Sequence, residues 1–242
     1  LSEGKTRRPY SSGRMEKRSM LKAIESFITL LMVGCGLSAP PARPFPTPCP
    51  SPTHSIASDP NGLETPSHYY PLKEGASYVY RHSENGLVLG TLTIAFHEVS
   101  ETSGRITARA DRRLDVLSGP QPARSDRIIL SNESIDFAYY LDNGDVYNRF
   151  SLPLKVGKSW TFPAPDGVHN LTVQEIVEVQ APLRNFKDCV HIYEKAENNL
   201  VLSESDYWLA PDVGLVRFRY RQTIQGEKAP YVEVVDELSS FR

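Results

Sequence analysis

The chain has 242 residues, 40% of them hydrophobic and 23% charged, and a formal net charge of −2. That make-up fits an ordinary folded protein of one or two domains and excludes the collagenous, coiled-coil and polytopic membrane classes. A charge so near zero gives no general attraction to nucleic acid, so none is expected as a partner, and any electrostatic recognition has to come from a local patch.

Residues 1–14 are polar and basic, without periodicity. From Met15 the layout changes to that of a secretory signal: Lys17, Arg18 and Lys22 precede a short apolar run, Phe27 to Val33, which ends at Gly34 and Cys35. The run is much shorter than the roughly 20 residues of a permanent membrane span. Its end, Leu31-Met32-Val33-Gly34-Cys35, resembles a bacterial lipobox, with methionine where that pattern prefers leucine. The resemblance implies cleavage before Cys35 and lipidation of that cysteine, with several acyl chains anchoring the protein to a membrane. The alternative is a secreted protein whose signal happens to contain a cysteine. Residues 1–34 are therefore assigned to an upstream extension and signal, disordered or helical, and 35–67 to a lipid-anchored tether.

The tether is rich in proline: Pro40, Pro41, Pro44, Pro46, Pro48, Pro50 and Pro52 leave too few N–H groups for helix or sheet and favour a semi-extended polyproline chain. Cys49 lies within it, as a free thiol or an intermolecular partner. A proline-motif ligand for a partner module is the other reading of this stretch.

The folded part, 68–242, opens with a motif that occurs twice. Pro71-Leu72-Lys73-Glu74-Gly75-Ala76-Ser77-Tyr78 returns as Pro153-Leu154-Lys155-Val156-Gly157-Lys158-Ser159-Trp160. Proline suits a strand start, glycine a tight reversal, and the Ser-aromatic-x-aromatic run alternates as a half-buried strand does. Alternating runs then follow over 78–82, 87–99, 105–117, 127–131, 135–141 and 146–152. After the second motif they continue over 160–162, 171–179, 189–194, 200–209, 213–223 and 231–238. Asn85-Gly86, Asp142-Asn143-Gly144 and Pro165-Asp166-Gly167 mark hairpins. A short turn is expected near Asn185 to Val190. The spacing predicts an all-β domain of antiparallel meanders from two related halves, near 69–151 and 152–242, forming one curved sheet, half-barrel or sandwich.

Strand alternation also places charges. Glu204, Asp206 and Trp208 share one strand face, and Arg217, Arg219 and Arg221 share a face of the next. If Ala210-Pro211-Asp212-Val213 connects them, any register whose paired residue numbers sum to an odd value sets the acids opposite the arginines, and a bulge shifting the sum to even would not. Arg105, Arg109 and Arg113 share a face of an earlier strand, and with the second trio they form a candidate cationic surface for a lipid head, glycan or protein. The competing reading is a solvated, salt-bridged sheet face.

Other chemistry finds little footing. The six histidines have no metal-ligand spacing, no cofactor fingerprint or nucleophile elbow occurs, and Cys189 lies in an apolar strand as a buried structural thiol. Asp142-Asn143-Gly144-Asp145 lacks the remaining ligands of a calcium loop. No catalytic residue, cofactor or metal is predicted.

Three stretches taken together, Leu152 to Trp160, Asn185 to Val190 and Tyr207 to Val216, resemble a pattern in uncharacterised bacterial envelope lipoproteins. That pattern has a P-L-x-x-G-x-x-W entry, a G-x-F-x-D-C strand and a Y-A-P-G-V-G-L-V turn. Pro71, Gly75, Tyr78, Pro153, Gly157, Trp160, Pro211 and Gly214 are its structural positions here; Asn185 departs from the pattern's usual spacing to glycine, and Asp212 stands where it has glycine. The resemblance implies an antiparallel β domain on a lipid anchor, with no established activity. The expected role is a non-enzymatic envelope lipoprotein that binds a protein, glycan or lipid, with a hydrophobic-ligand carrier as the alternative and a hydrolase with an unrecognised site as a third.

Overall fold

The alternation along the chain is realised as strands. The computed structural model describes residues 65–140, 144–164, 167–198 and 200–242. They form one helical turn, α1 (Pro66–Tyr69), and thirteen strands: β1 (Ser77–Glu84), β2 (Leu87–Thr102), β3 (Arg105–Val116), β4 (Gly119–Pro120), β5 (Arg124–Leu130), β6 (Ser134–Tyr139), β7 (Val146–Ser151), β8 (Ser159–Ala164), β9 (Gly167–Gln180), β10 (Asn185–Glu197), β11 (Val201–Ala210), β12 (Gly214–Ile224) and β13 (Val232–Phe241). The signal-like segment, Cys35, the proline-rich run with Cys49, and Asp142, Asn143, Pro165 and Asp166 lie outside the described residues.

One antiparallel sheet holds all the strands, in the order β7-β6-β5-β3-β2-β1-β13-β12-β11-β10-β9-β8, with β4 paired only to β3. It is a meander from β1 to β7 joined to a second from β8 to β13, and it is nearly closed on itself. Of the shapes open to the sequence, the curved single sheet is the one adopted. The join is the β1–β13 ladder, running from Tyr78↔Phe241 to Glu84↔Val234. At the opposite seam β7 and β8 meet through side chains. Trp160 Nε1 donates to the Arg149 carbonyl at 2.8 Å, and Lys158 Nζ donates to the carbonyls of Ser151 and Leu152 at 3.0 and 2.7 Å.

Local chemistry explains the turns and the curvature. Asn85 and Gly86, with φ of +48° and +80°, make the two-residue turn with positive φ at both positions that suits a right-twisted hairpin. Bulges at His82/Ser83, His97/Ser100, Phe186/Cys189 and Trp208/Leu209 bend the long strands. The turn expected near Asn185 is one of these bulges inside β10, where Asp188 has φ +55°. A single left-handed residue reads as a turn in sequence, while the ladder resumes on both sides of it. Cys189 is fully buried there, its Sγ 3.4 Å from the Phe186 carbonyl, and burial pushes its thiol up to about 11.

The two motif copies are built alike. Ala76 N donates to Lys73 O at 3.1 Å and Lys158 N to Lys155 O at 2.9 Å. Gly75 N donates to Phe96 O and Gly157 N to Val173 O, at 2.9 and 2.8 Å; Phe96 N and Val173 N return bonds to Ala76 O and Lys158 O, both at 2.9 Å. Gly75 and Gly157 hold φ of +74° and +84°, where a β-carbon would be strained. Leu72 and Leu154 beside them are both buried. The Leu152–Pro153 peptide is cis.

The core fills one end of the barrel. Tyr78, Phe96, Leu130, Ile135, Phe150, Leu171, Val173, Ile192, Leu209 and Leu238 are buried there, each contributing roughly 1.5–3 kcal/mol. The N-terminal segment plugs this end with Tyr69, Tyr70 and Leu72. It is docked on the β11–β12 turn: Asp212 N donates to His68 O at 2.7 Å, and a β-carbon on Gly214 would lie 3.5 Å from Pro71.

Candidate functional site

Filling falls away toward the other end, where the β1–β2 and β3–β4 turns lie. Inward-facing Leu92, Arg112, Leu114, Tyr220, Gln222 and Val234 are only half-buried there. Between the two ends the sheet encloses a cavity of about 180 Å³. Its apolar wall comes from Leu92, Ile94, Ala110, Ile128, Phe137, Phe150, Leu209, Leu215 and Phe218, and its polar groups are Arg112, Asp126, Asn148, Asp236 and four tyrosines. Ala110 helps to explain the space, since a small residue faces the interior where a larger one would occupy it.

The polar groups fall into three sets. Asp126, 2% exposed, accepts from Arg124 Nε at 2.9 Å and faces Arg112 Nη1 at 3.4 Å. Burial works against the Arg112 charge, but Tyr147, Asp126, Tyr70 and Asp236 more than offset it, and its pKa is raised. Asp236, 6% exposed, accepts from His82 Nδ1 at 2.7 Å, and Glu84 lies 3.3 Å from His82 Nε2. Burial opposes protonation of His82, yet the bond and charge of Asp236, with help from Glu84, outweigh it and raise its pKa. The third set is buried Glu194, which accepts from Tyr207 at 2.6 Å and Asn148 Nδ2 at 3.3 Å and pairs with His169 Nδ1. Asn148 also donates to the Tyr207 hydroxyl at 2.9 Å, so β7 is tied to β10 and β11 through the interior. Burial pushes Tyr147 up to about 12 and raises Tyr70, Tyr80 and Tyr207, which keeps these phenols neutral.

The arginines singled out in the sequence lie elsewhere. Arg105, Arg109 and Arg113 alternate with the inward residues of β3, and Arg217, Arg219 and Arg221 do so on β12. β2, β1 and β13 stand between those strands, so the six do not make one surface. Most are balanced by acids: Arg109 by Glu98 and Asp111, Arg113 by Asp115 at 2.9 Å, Arg217 by Glu237 at 3.7 Å, Arg219 by Asp206 at 2.8 Å and Arg221 by Glu204 at 3.5 Å. The register pairs Glu204 with Arg221 and Asp206 with Arg219, as the alternation expects; the bulge comes only after Trp208. Trp208 stacks on His191 at 4.6 Å, with the Arg217 guanidinium 5.2 Å from its centroid. This is a salt-bridged outer face.

The motif residues Pro71, Gly75, Tyr78, Pro153, Gly157, Trp160, Pro211 and Gly214 build strand entries and the docked turn. The residue missed in the sequence is Arg112. Its signal was there: Ile106, Ala108, Ala110, Arg112 and Leu114 form one alternating set, so an arginine occupies the inward register of β3. Among the described residues no three metal-ligating side chains converge.

No family model and no curated protein matches this chain. Two solved structures do. One is a protein assigned as exported, with a YmcC-like fold, from Bacteroides fragilis, at 12% identity and TM-score 0.51, covering 72% of this chain and 99% of that one. The other, assigned as a lipoprotein, is from Parabacteroides distasonis, at 13% identity and TM-score 0.50, covering 72% of this chain and 98% of that one. At these identities the likeness establishes the fold, a YmcC-like all-β domain.

Proposed function

We propose that this is a non-enzymatic protein of the bacterial cell envelope, exported and lipid-anchored at Cys35, whose barrel binds a small, largely apolar molecule in its interior. The observation that carries the binding role is the cavity of about 180 Å³ inside the sheet, plugged at one end by the N-terminal segment and lined mainly by apolar side chains. For scale, a wholly apolar cavity of about 150 Å³ holds a benzene-sized molecule. Exposed Leu87, Val88, Leu117, Leu200 and Ile224 lie at or beside hairpin turns around the unplugged end, an apolar approach for such a ligand. Export and anchoring rest on the basic region, the apolar run and the lipobox-like ending. The assignments of the two structural neighbours as exported and lipoprotein support this reading. The shared hydrogen bonds of the two motifs support a further part of the proposal, that the domain is two copies of one meander.

The test uses a neutral apolar fluorophore, N-phenyl-1-naphthylamine, on protein freed of endogenous ligand. The wild type is expected to bind it with enhanced emission. Ala110→Leu, which fills the cavity from β3, is expected to weaken binding at least about tenfold while the protein remains folded. Unchanged affinity in a folded Ala110→Leu protein would place the ligand outside the barrel and end the proposal.

A further inference from the structure

We infer that the ligand of this cavity is an amphiphile with an anionic head, a carboxylate or a phosphate, seated on Arg112 with its apolar body among the rings of the barrel. The inference rests on the cavity reading above and adds the chemistry of the ligand.

Arg112 stands in the inward register of β3, between Ala110 and Leu114; it lines the cavity, and its side chain is 35% accessible. A guanidinium carries five donors in a planar fork. Here the fork makes one long contact among the described residues, at 3.4 Å to Asp126. Asp126 already has a better partner in Arg124, at 2.9 Å. The other acid of the wall, Asp236, is bonded to His82 at 2.7 Å. Both carboxylates facing the cavity therefore have cationic or protonatable partners of their own, and Arg112 is left with donors to spare. A half-buried guanidinium with unused donors facing a mainly apolar cavity suits a carboxylate or phosphate, which takes two of those donors at once.

Tyr70 adds a second donor. Its ring is wedged against Phe96 and Phe137, at 6.2 and 5.5 Å between centroids, and its hydroxyl makes no side-chain hydrogen bond among the described residues. It belongs to the plug that closes the barrel, so its hydroxyl faces the space from the end opposite the rim. Arg112 and Tyr70 thus both present donors to a mainly apolar chamber of about 180 Å³, whose remaining polar groups are Asp126, Asp236, Asn148 and three further tyrosines. That volume suits a small aromatic acid, or the head and first methylenes of an acyl chain whose remainder runs toward the unplugged end.

The purified full chain, stripped of endogenous ligand, is titrated by calorimetry at pH 8 with decanoate, decyl phosphate and decanol, which share a tail and differ in the head. At least one anion is expected to bind about tenfold to a hundredfold more tightly than decanol, the range of a charge-assisted hydrogen bond. The stronger of the two anions identifies the head. Arg112→Gln is expected to erase the preference and leave decanol binding in place. Arg112→Lys, which keeps the charge and loses the fork, is expected to reduce it, so the result does not hang on one variant. Tyr70→Phe is expected to lower anion affinity severalfold. Equal affinity for all three probes in the wild type, or a preference that survives Arg112→Gln, would overturn the anionic head and leave the cavity reading standing. Binding of none of the three would overturn both.

Discussion

The two seams of the barrel are topologically alike and physically different. At each, the first strand of one meander lies beside the last strand of the other: β1 beside β13, β8 beside β7. The first seam is zipped by a backbone ladder along the whole of β1 and reinforced by Arg81–Glu237 at 2.5 Å and His82–Asp236 at 2.7 Å. The second is held by a tryptophan N–H, a lysine, the Asn148–Tyr207–Glu194 network and ring contacts from Phe150. Strand chemistry accounts for part of the difference. β7 and β8 are short, and Pro163 in β8 lacks the N–H a neighbour would need, a mark of an edge strand. A ladder spreads its energy over many backbone groups, whereas the second seam concentrates it in a few side chains. Its integrity should therefore respond to single substitutions.

The largest effect is expected at Phe150, which is fully buried and packs edge-on against Phe137 at 5.3 Å and Tyr207 at 5.0 Å. Phe150→Ala is predicted to cost about 3–5 kcal/mol in urea denaturation, and a loss below about 1 kcal/mol would show that the second seam is not held by packing. A smaller effect is expected from Trp160→Phe, which keeps the ring and removes the bond to the Arg149 carbonyl. The predicted cost is about 1 kcal/mol, with faster amide exchange in β7 and β8 and little change in β1 and β13. Equal acceleration at both seams would erase the distinction between them.

The smallest effect concerns the zipped seam and has a definite sign. The pKa of His82 is raised in the folded protein, so its pair with Asp236 contributes fully below the unfolded value of about 6.5 and loses that contribution as pH rises through the folded pKa. Stability is thus predicted to fall between mildly acidic and alkaline pH by an amount that His82→Asn removes. A profile in the variant that matches the wild type would show that the pair does not stabilise the seam.

Much of the architecture was legible because it is local. Alternation placed the strands, Asn85-Gly86 the first hairpin, and the parity of Glu204, Asp206, Arg219 and Arg221 the charge register of β11 against β12. The candidate site was much less legible. Arg105, Arg109 and Arg113 drew attention as exposed charge, while the more informative residue was their neighbour Arg112, of the opposite parity. Its meaning depends on what faces it, and Asp126, Tyr70 and Asp236 come from β5, the plug and β13.

The amino-acid sequence by itself determined the all-β character, the antiparallel hairpins, the strand entries at Pro71 and Pro153, and the outer pairing of acids with arginines. Each follows from backbone preferences and alternation within a few residues of chain. Only the tertiary structure decided that the sheet curls into a nearly closed barrel, that β1 zips to β13 while β7 and β8 meet by side chains, and that a cavity with Arg112 in its wall is left inside. Those outcomes depend on bulges, on pairing between strands as far apart as Tyr78 and Phe241, and on side-chain volumes summed across the barrel. No stretch of chain carries that information alone.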